Sequence, residues 1–406
     1  MSTRRKFLAA APAFIGSALA ARYSITEIER LIAKGDVKGK LMRDDLPTPA
    51  LLLDLDKFEA NVNKMTSFAK SKGKAFRPHG KTHKCPEIAR RLVAAGAVGA
   101  CAAKISEAEV FADGGVAGLL VTSAPVGRLR VERAIRLAKR RPDTIFCVDN
   151  ASNVEELNQA AAAAKIKLNL AVDLLVGRRT GIVPGEPAVA LAKQIAAASN
   201  LKLQGLQAYS GHASHVKGFA DRKRVSEEEM GKAVETRRML EKAGIPCNWL
   251  SGASTGTYNI DADIDGVTEL QPGSFMFMDV DYAQLNGKDG SERYRDFEHS
   301  LTVLSSVISM PSDKSPIVDA GLKAFATDRP YVPEAKGVNG ISYKWAGDEH
   351  GSLTLGDGAP AVKNGDRMEF LVTHCDPTVN LYDRMFGLRG DQVEAVWTIS
   401  ARGKSQ

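Results

Sequence analysis

Residues 98–112 read VGACAAKISEAEVFA, a short apolar run followed directly by a helical pattern. The run at 98–103 suits a buried strand, and the apolar positions from Glu107 to Ala112 have helical spacing. The same alternation recurs along most of the chain. It predicts a fold made of repeated strand–helix units.

Eight apolar runs of this kind follow one another in the sequence. They lie at 75–79, 98–103, 118–123, 144–149, 167–173, 203–209, 246–251 and 268–275, and most precede a helical pattern. Eight repeats predict a (β/α)8 TIM barrel within residues 47–285. Before them, Ala50 to Asp54 has a strand pattern, and Asp56 can cap the helix that follows. A doubly wound sheet is the competing arrangement, but no G-x-G-x-x-G motif follows the first strand.

The pattern changes after Asp281. Five strand patterns, separated by Gly, Pro, Asn and Asp turns, replace the alternation, and no long helical pattern occurs there. These patterns lie at 301–310, 316–319, 342–345, 367–373 and 392–401. We therefore expect a second, β-rich domain built from residues 286–406 and completed by residues 21–46.

The first 20 residues carry the three parts of an export signal. Arg4 and Arg5 precede an Ala-rich apolar run, and Ala18-Leu19-Ala20 offers a cleavage site after Ala20. The paired arginines resemble a twin-arginine signal, so we expect a periplasmic protein. The alternative is an amphipathic first helix in a cytoplasmic protein. No later stretch is apolar over the length of a bilayer, so no stable membrane insertion is expected after processing.

Charge and cysteine content argue against several classes of protein. The formal net charge is +7, and no block of Lys and Arg is interleaved with aromatic residues. A nucleic-acid partner is therefore not expected, and a small anionic ligand fits better. The five cysteines include no C-x-x-C motif, and their odd number argues against a complete disulfide framework. We expect most of them to be small buried residues.

Reactive side chains occur in two segments far apart in the chain, RPHGKTHK at 77–84 and HCD at 374–376. In the first, Lys81 stands among His79, His83 and Lys84. These neighbours can provide the cationic or poorly solvated surroundings that favour the neutral amine, the form that makes a Schiff base. In the second, strand alternation predicts that the imidazole and the carboxylate face one side, as a metal-binding pair would. A surface lysine and a helix-capping or turn-forming His-x-Asp-Pro are the structural alternatives.

The predicted barrel places these and other polar residues on one face. Lys81 follows the first barrel strand, Arg179 follows the fifth, and Tyr209 and His212 end the sixth. Loops rich in Gly, Ser and Thr accompany the seventh and eighth strands, where such barrels often bind phosphate. The candidate phosphate residues in these loops are Gly252, Ser254, Thr255, Gly256, Gly273 and Ser274.

An ordered set of short motifs spans residues 45–400. They are TPA at 48–50, DLD at 54–56, RPHGKTHK at 77–84, KISEAE at 104–109, SGASTGT at 251–257, QPGS at 271–274 and HCDPTVN at 374–380. Together they resemble the D-threonine aldolase and D-serine dehydratase group of pyridoxal-phosphate enzymes. That group is related to alanine racemase and has its fold type III architecture.

The resemblance implies a role for each site residue. Lys81 would bind pyridoxal 5'-phosphate covalently, Arg179 (or Arg178) would approach the pyridine nitrogen, and Tyr209 would lie near the cofactor. His374 and Asp376 would be the metal ligands. The group has Asp at the second ligand position in its aldolase pattern and Cys in its dehydratase pattern. A His/carboxylate pair suits Mn²⁺ best, with Mg²⁺ or Zn²⁺ as alternatives.

The resemblance therefore implies a pyridoxal-phosphate- and metal-dependent aldolase, a carbon–carbon lyase and homodimer. Its substrates would be small D-β-hydroxy-α-amino acids of the D-threonine and D-phenylserine type, cleaved to glycine and an aldehyde. The candidate catalytic bases are His79, His83, His212, His215 and a water activated by the metal. The second hypothesis is β-elimination from D-serine or 3-hydroxyaspartate. The third is a non-enzymatic pyridoxal-phosphate carrier, a class that lacks the β domain and the metal pair.

Overall fold

The computed structural model describes residues 22–177 and 179–406. The predicted export signal at 1–20 and Arg178 lie outside the described residues. In chain order the strands are β1 (Ala50–Asp54), β2 (Ala75–Phe76), β3 (Ala100–Ala102), β4 (Leu119–Val121), β5 (Ile145–Val148), β6 (Leu168–Asp173), β7 (Leu201–Ala208), β8 (Leu250–Gly252), β9 (Glu269–Leu270), β10 (Leu301–Ser309), β11 (Ile317–Val318), β12 (Glu334–Ala335), β13 (Ile341–Trp345), β14 (Gly351–Leu355), β15 (Arg367–Leu371), β16 (Arg384–Arg389) and β17 (Gln392–Thr398).

The α-helices alternate with the strands through the first two thirds of the chain. They are α1 (Ile25–Lys34), α2 (Leu55–Ser71), α3 (Pro86–Ala94), α4 (Ile105–Asp113), α5 (Arg128–Arg140), α6 (Ala151–Ala164), α7 (Glu186–Ala197), α8 (Phe219–Lys242), α9 (Tyr258–Asp261), α10 (Val280–Ala283) and α11 (Cys375–Val379).

The eight strands β2 to β9 form one parallel sheet in the order β2-β9-β8-β7-β6-β5-β4-β3. A bridge between His79 and Cys101 connects β2 to β3, and the Cys101 amide donates to the Pro78 carbonyl at 2.9 Å. The first and last strands of the sheet therefore meet. This confirms the predicted (β/α)8 barrel of the alanine racemase type.

The helix after β1 begins two residues earlier than the sequence predicts. Asp54, not Asp56, is the N-cap of α2, because its carboxylate accepts a hydrogen bond from the Lys57 amide at 3.1 Å. β1 therefore continues into α2 without a loop. Asp56 lies in the first helical turn, where a negative charge is still favourable.

The second sheet contains β1 and β10 to β17, with a main path of β13-β14-β11-β10-β1-β16-β17. β1 pairs antiparallel with β10 and parallel with β16. This confirms the β-rich second domain. β1 falls within the limits 47–285 predicted for the barrel, but it lies in the sheet of the second domain. The sequence pattern did not indicate β12, β14 or β16.

Residues 25–46 pack against this second sheet. The apolar face of α1, with Ile28 and Leu31, belongs to one buried cluster with Leu52 of β1 and Phe386 of β16. Ser24 caps the helix in a reciprocal arrangement with Glu27. The N-terminal helix therefore covers the side of the sheet that faces away from the barrel core.

All five cysteines are buried and form no disulfide in the part of the chain that the structure describes, in agreement with the sequence-based prediction. Among the same residues, no helix is both long enough and apolar enough to cross a membrane.

Candidate active site

The carboxyl ends of the barrel strands and one side of the second domain enclose a cavity of about 270 Å³. Its lining residues are His79, Lys81, Thr82, Gly177, Arg179, Tyr209, Gly211, His212, His215, Ser254, Thr255, Gln271, Gly273, Ser274, Tyr282, Arg329, His374 and Asp376. The structure thus brings most of the sequence-predicted residues together in one place. Of that set, His83, Gly252 and Gly256 do not line the cavity.

Lys81 is held in a single 3-10 turn, Gly80–Thr82, just after β2. Its amide donates to His79 Nδ1 at 3.4 Å, and its Nζ lies 5.9 Å from the centre of the Tyr209 ring. The pKa of Lys81 is raised: Asp376 has the largest effect and Tyr209 adds to it, whereas burial and Arg179 act in the opposite direction. The prediction that the surroundings of Lys81 favour its neutral amine is therefore wrong, because the Asp376 carboxylate is the strongest influence.

The three basic neighbours of Lys81 supply little positive charge. Burial and the nearby cations lower the pKa of His79 well below its usual value, and burial lowers the pKa of His83 to about 3. Both rings are therefore neutral. Lys84 is paired with the fully buried Glu107, with 2.9 Å between Nζ and Oε1.

His83 packs behind the cavity. Its Nδ1 accepts a hydrogen bond from the Cys85 amide at 3.1 Å, and its ring centre lies 5.7 Å from that of Phe111. Its fully buried ring packs against the turn that follows Lys81 and does not line the cavity.

The loops after β8 and β9 present polar groups without net charge. The amides of Thr255 and Gly273 donate no hydrogen bond within the described ranges, and Ser254 and Ser274 line the cavity beside them. Free backbone donors and hydroxyls are the groups that hold a phosphate. The Ser254 amide donates to Thr257 Oγ1 at 3.1 Å, which fixes the loop.

Gly252 and Gly256 allow neighbouring backbone segments to approach these loops closely. A Cβ at Gly252 would overlap the Ala208 carbonyl oxygen, and a Cβ at Gly256 would overlap that of Ser214. Both positions therefore need glycine for close packing of chain segments behind the cavity surface.

Arg179 and Tyr209 contact each other at the ends of β6 and β7. The Arg179 guanidinium lies 4.9 Å from the centre of the Tyr209 ring, a cation–π distance. Burial raises the pKa of Asp173, the last residue of β6, to about 7. A hydrogen bond from Thr180 Oγ1 at 3.0 Å opposes this increase in pKa. The pair places a fixed positive charge over one wall of the cavity.

His374 and Asp376 do not lie on a strand, so that prediction is wrong. β15 ends at Leu371, and α11 begins at Cys375, with His374 as its N-cap. Pro377 sits in the first helical turn, where no backbone donor is required. Both side chains nevertheless line the cavity, while Cys375 is fully buried.

The donor atoms of this pair fit a divalent metal ion. His374 Nδ1 lies 2.8 Å from Asp328 Oδ2, and this bond leaves Nε2 with its lone pair available. Asp376 Oδ2 accepts from Thr82 Oγ1 at 3.3 Å, whereas Oδ1 is buried with no hydrogen-bond partner in the structure described. A buried carboxylate oxygen without a partner is costly unless a cation satisfies it. No cluster of three or more potential metal ligands occurs among the described residues, so the protein would supply two.

A chain of polar and charged groups crosses between the two domains beside this pair. Asp281 Oδ2 lies 3.1 Å from His215 Nδ1 and 3.2 Å from Arg329 Nε, which in turn lies 3.8 Å from Asp328 Oδ2. Burial alone would raise the pKa of Asp281, but His215 and Arg329 bring it below its usual value. The barrel and the second domain therefore meet through ionised groups at the cavity.

No role is predicted from the sequence for Thr82, Tyr282, Asp328 or Arg329. Thr82 stands inside the RPHGKTHK motif, and its position next to Lys81 is the signal that could have found it. Asp328 and Arg329 follow no periodic pattern, and only the folded chain shows that they meet His374 and Asp281.

Two family models match consecutive parts of the sequence. Residues 53–281, more than half of the chain, match the N-terminal domain of alanine racemase, and residues 300–388 match a serine dehydratase domain. The chain belongs to the alanine racemase-like family of fold type III pyridoxal-phosphate enzymes.

Relatives in this family match nearly the whole chain. A 3-hydroxy-D-aspartate aldolase of Paracoccus denitrificans is 37% identical over 92% of this chain and 99% of its own length. A D-threonine aldolase of Arthrobacter is 38% identical, covering 88% of this chain and 93% of the relative. The crystal structure of D-threonine aldolase from Filomicrobium marinum superimposes with a TM-score of 0.85 at 38% identity, over 89% of this chain and 98% of that one. The similarity identifies the chain as an enzyme.

The cavity has the parts that the family's cofactor requires. Pyridoxal phosphate needs a lysine amine and a phosphate cradle, and here Lys81 and the loops around Ser254 and Gly273 line one cavity. Arg179 supplies a cation on the Tyr209 side of the same cavity. These residues fit the cofactor, and Lys81 is the lysine in position to hold it.

Proposed function

We propose that the chain is a pyridoxal-phosphate- and metal-dependent aldolase that cleaves D-configured β-hydroxy-α-amino acids to glycine and an aldehyde. The observation that carries the proposal is the contact between the turn of Lys81 and the His374/Asp376 pair, made by the Thr82 hydroxyl. An amine for the cofactor and a metal-type pair therefore share one cavity. The names of the relatives, D-threonine aldolase and 3-hydroxy-D-aspartate aldolase, support the same reaction type.

The cofactor would supply the electron sink. When bound, pyridoxal phosphate stabilises the negative charge that develops at the α-carbon of an amino acid. Lys81 would hold it through its amine, and the donors around Ser254 and Gly273 would hold its phosphate. Arg179, stacked on Tyr209, would keep a fixed positive charge near the ring.

His374 Nε2 and Asp376 Oδ1 would hold the metal. A divalent cation at this place would lower the pKa of the substrate hydroxyl and so ease loss of its proton. A His/carboxylate pair favours Mn²⁺ or Mg²⁺ over Zn²⁺. Asp328 would keep the imidazole in the right tautomer.

Side chains of the cavity would carry the protons. Cleavage of the Cα–Cβ bond takes one proton from the β-hydroxyl and returns one to the α-carbon. His212 and His215 both line the cavity, each beside a carboxylate: His212 Nε2 lies 3.6 Å from Glu229, and His215 Nδ1 lies 3.1 Å from Asp281. A carboxylate partner orients an imidazole and stabilises its charged form, as a general base requires.

β-Elimination is the second candidate, because the serine dehydratase domain match covers residues 300–388 and includes both candidate ligands. In the group that the sequence resembles, Asp at position 376 is the aldolase pattern. Elimination from D-serine or 3-hydroxyaspartate would release ammonia and a 2-oxo acid, so the two reactions differ in their products.

The test is an assay of the holoenzyme with D-threonine and with 3-hydroxy-D-aspartate, in the presence of Mn²⁺, with and without EDTA. Equal amounts of glycine and aldehyde, lost with EDTA and absent with L-threonine, are the expected result. The variant Lys81→Ala should give no product. Formation of ammonia and a 2-oxo acid would show that the enzyme is a dehydratase and not an aldolase. The absence of any product would contradict both hypotheses.

Two further sequence-based predictions belong to this function. We propose a homodimer in which the second domain of one subunit lies near the active site of the other; light scattering of the purified holoenzyme tests its mass. We also propose export to the periplasm through the signal at residues 1–20.

A further inference from the structure

Arg329 is the cation that the second domain adds to the cavity lining, whereas Lys81 and Arg179 come from the barrel. Its Nε lies 3.2 Å from Asp281 Oδ2 and 3.8 Å from Asp328 Oδ2. Its two terminal nitrogens donate no hydrogen bond to any residue that the structure describes. The Nε side of the guanidinium therefore lies against two carboxylates, and the fork formed by its terminal N–H groups is left for a ligand. That fork matches a carboxylate in shape and charge.

The cavity offers little to an apolar substituent. Among the described residues that line it, none is Ala, Val, Leu, Ile, Met or Phe. The rings that line it, those of its tyrosines and histidines, all carry polar atoms. A methyl or phenyl group on the β-carbon would find no aliphatic wall and would desolvate polar groups without replacing their hydrogen bonds.

The charges of the cavity also favour an anion. Asp376 is the one carboxylate among the described lining residues, against Lys81, Arg179 and Arg329. The cofactor would engage the first two cations, which leaves Arg329 for the substrate. Asp328 contacts both Arg329 and His374, so Arg329 stands next to the candidate metal pair. A substrate that brings its β-hydroxyl to that pair brings the other group on the β-carbon near Arg329.

We propose that Arg329 determines specificity by binding a carboxylate on the β-carbon, so that the preferred substrate is a D-configured 3-hydroxyaspartate rather than D-threonine or D-phenylserine. This inference rests on the aldolase function proposed above. The Cα–Cβ bond breaks, the β-hydroxyl loses its proton, and the α-carbon gains one. The products are glycine and glyoxylate, and no oxidant or reductant is consumed.

Ligand binding tests the role of Arg329 without any turnover to an aldehyde. D-Aspartate and D-asparagine have the same shape and differ in charge at the β-substituent, and neither has a β-hydroxyl. Titration of the holoenzyme, followed by the absorbance of the cofactor, should show D-aspartate binding at least about 10-fold more tightly than D-asparagine. Arg329→Met should abolish this preference, and Arg329→Lys, which keeps the charge without the fork, should retain part of it.

The matched control is Arg293→Met. Arg293 pairs with Glu334 on the protein surface, at 2.9 Å, so this variant removes one positive charge away from the cavity. It should keep the wild-type preference. A wild-type protein that binds both ligands equally, or an Arg329→Met variant that keeps the preference, would overturn the proposal.

Steady-state kinetics give the second test. The ratio of kcat/KM for 3-hydroxy-D-aspartate to that for D-threonine should favour the dicarboxylic acid and fall by about 100-fold in Arg329→Met. An unchanged ratio would show that Arg329 binds the α-carboxylate, which both substrates carry, or only supports the fold. If the proposed aldolase function is wrong, both substrates should yield ammonia in place of glycine. The binding preference for D-aspartate over D-asparagine can still be measured in that case, so the two proposals fail separately.

Discussion

Thr82 and Asp376 are 294 residues apart in the chain, and the Thr82 hydroxyl donates a hydrogen bond to the Asp376 carboxylate at 3.3 Å. Thr82 is fully buried and directly follows Lys81. The turn that presents the lysine and the helix that presents the carboxylate therefore hold each other in place. This contact is the basis of the first two predictions.

Replacing Thr82 with Val should weaken metal binding, because the side chain keeps its volume but cannot donate to Asp376. Loss of a hydrogen-bond partner of a metal ligand typically costs about 10–100-fold in affinity. We expect a change of this size in the Mn²⁺ dissociation constant, measured by titration of chelator-treated protein. Thr82→Ser keeps the donor and should bind Mn²⁺ within about threefold of wild type. Equal affinities in all three proteins would show that the hydrogen bond does not position Asp376.

Gly273→Ala should displace Thr82. A Cβ at this position would lie 2.5 Å from Thr82 Oγ1 and 3.4 Å from His79 Cβ. Because a shift of about 1 Å in a catalytic group can cost about 100-fold in rate, we expect kcat to fall by that order. Gly231→Ala is the control: no atom lies within 4 Å of its Cβ, and the position is inside α8. That variant should keep wild-type kcat and gain up to about 1 kcal/mol in stability. Wild-type kcat in Gly273→Ala would refute the close packing.

Asp261 should make stability depend on pH. It is buried, it accepts hydrogen bonds from Ser226 Oγ at 2.6 Å and Thr257 Oγ1 at 2.7 Å, and burial raises its pKa to about 6. The unfolded value is about 3.9, so the folded protein binds this proton more tightly. Its contribution to stability is therefore full below about pH 4 and is lost as the pH rises through about 6.

The variant Asp261→Asn has no carboxyl group at this position, so its side chain does not titrate. From pH 4 to pH 7, the difference in free energy of unfolding between variant and wild type should move by about 2 kcal/mol in favour of the variant. Urea denaturation at both pH values measures this shift. If the difference between the two proteins stays constant, the pKa of Asp261 is not raised.

Replacing Arg4 and Arg5 with Lys should block export. The twin-arginine pathway reads the arginine pair itself, so conservative replacement keeps the charge and removes the signal. Fractionation of bacterial cells should find the wild type in the periplasm, with a mature N-terminus at Ala21 by mass spectrometry. The variant should stay in the cytoplasm at full length. Recovery of unprocessed wild-type protein from the cytoplasm would contradict the prediction.

The barrel and half of its site could be predicted because both follow from periodicity. Eight apolar runs mark the strands, and parallel strands of a closed barrel present all their carboxyl ends on one face. Lys81, Arg179 and Tyr209 each follow such a strand end, so their meeting in one cavity is a consequence of the strand order. The residues of the phosphate loops follow in the same way.

The rest of the site depends on contacts that no local pattern encodes. His374 and Asp376 alternate as strand residues would, but Pro377 favours a helical first turn, and the structure has α11 there. Lys84 looks like a free cation in the sequence, yet Glu107 in α4 neutralises it. Arg329 is held at the cavity by Asp281, a residue of the barrel that it meets only after the two domains have come together.

The pairing of β1 sets the order in which the chain can be assembled during synthesis. Leu52 of β1 lies between Thr302 of β10 and Phe386 of β16, strands that leave the ribosome far later. The barrel is free to close once β9 has emerged, but the apolar strand Ala50–Asp54 must wait for its partners. Nascent chains that end between β9 and β16 therefore carry an unpaired apolar strand beside a nearly finished barrel. Because this strand is exposed, we expect such chains to bind chaperones and to be the forms of this protein most prone to aggregate.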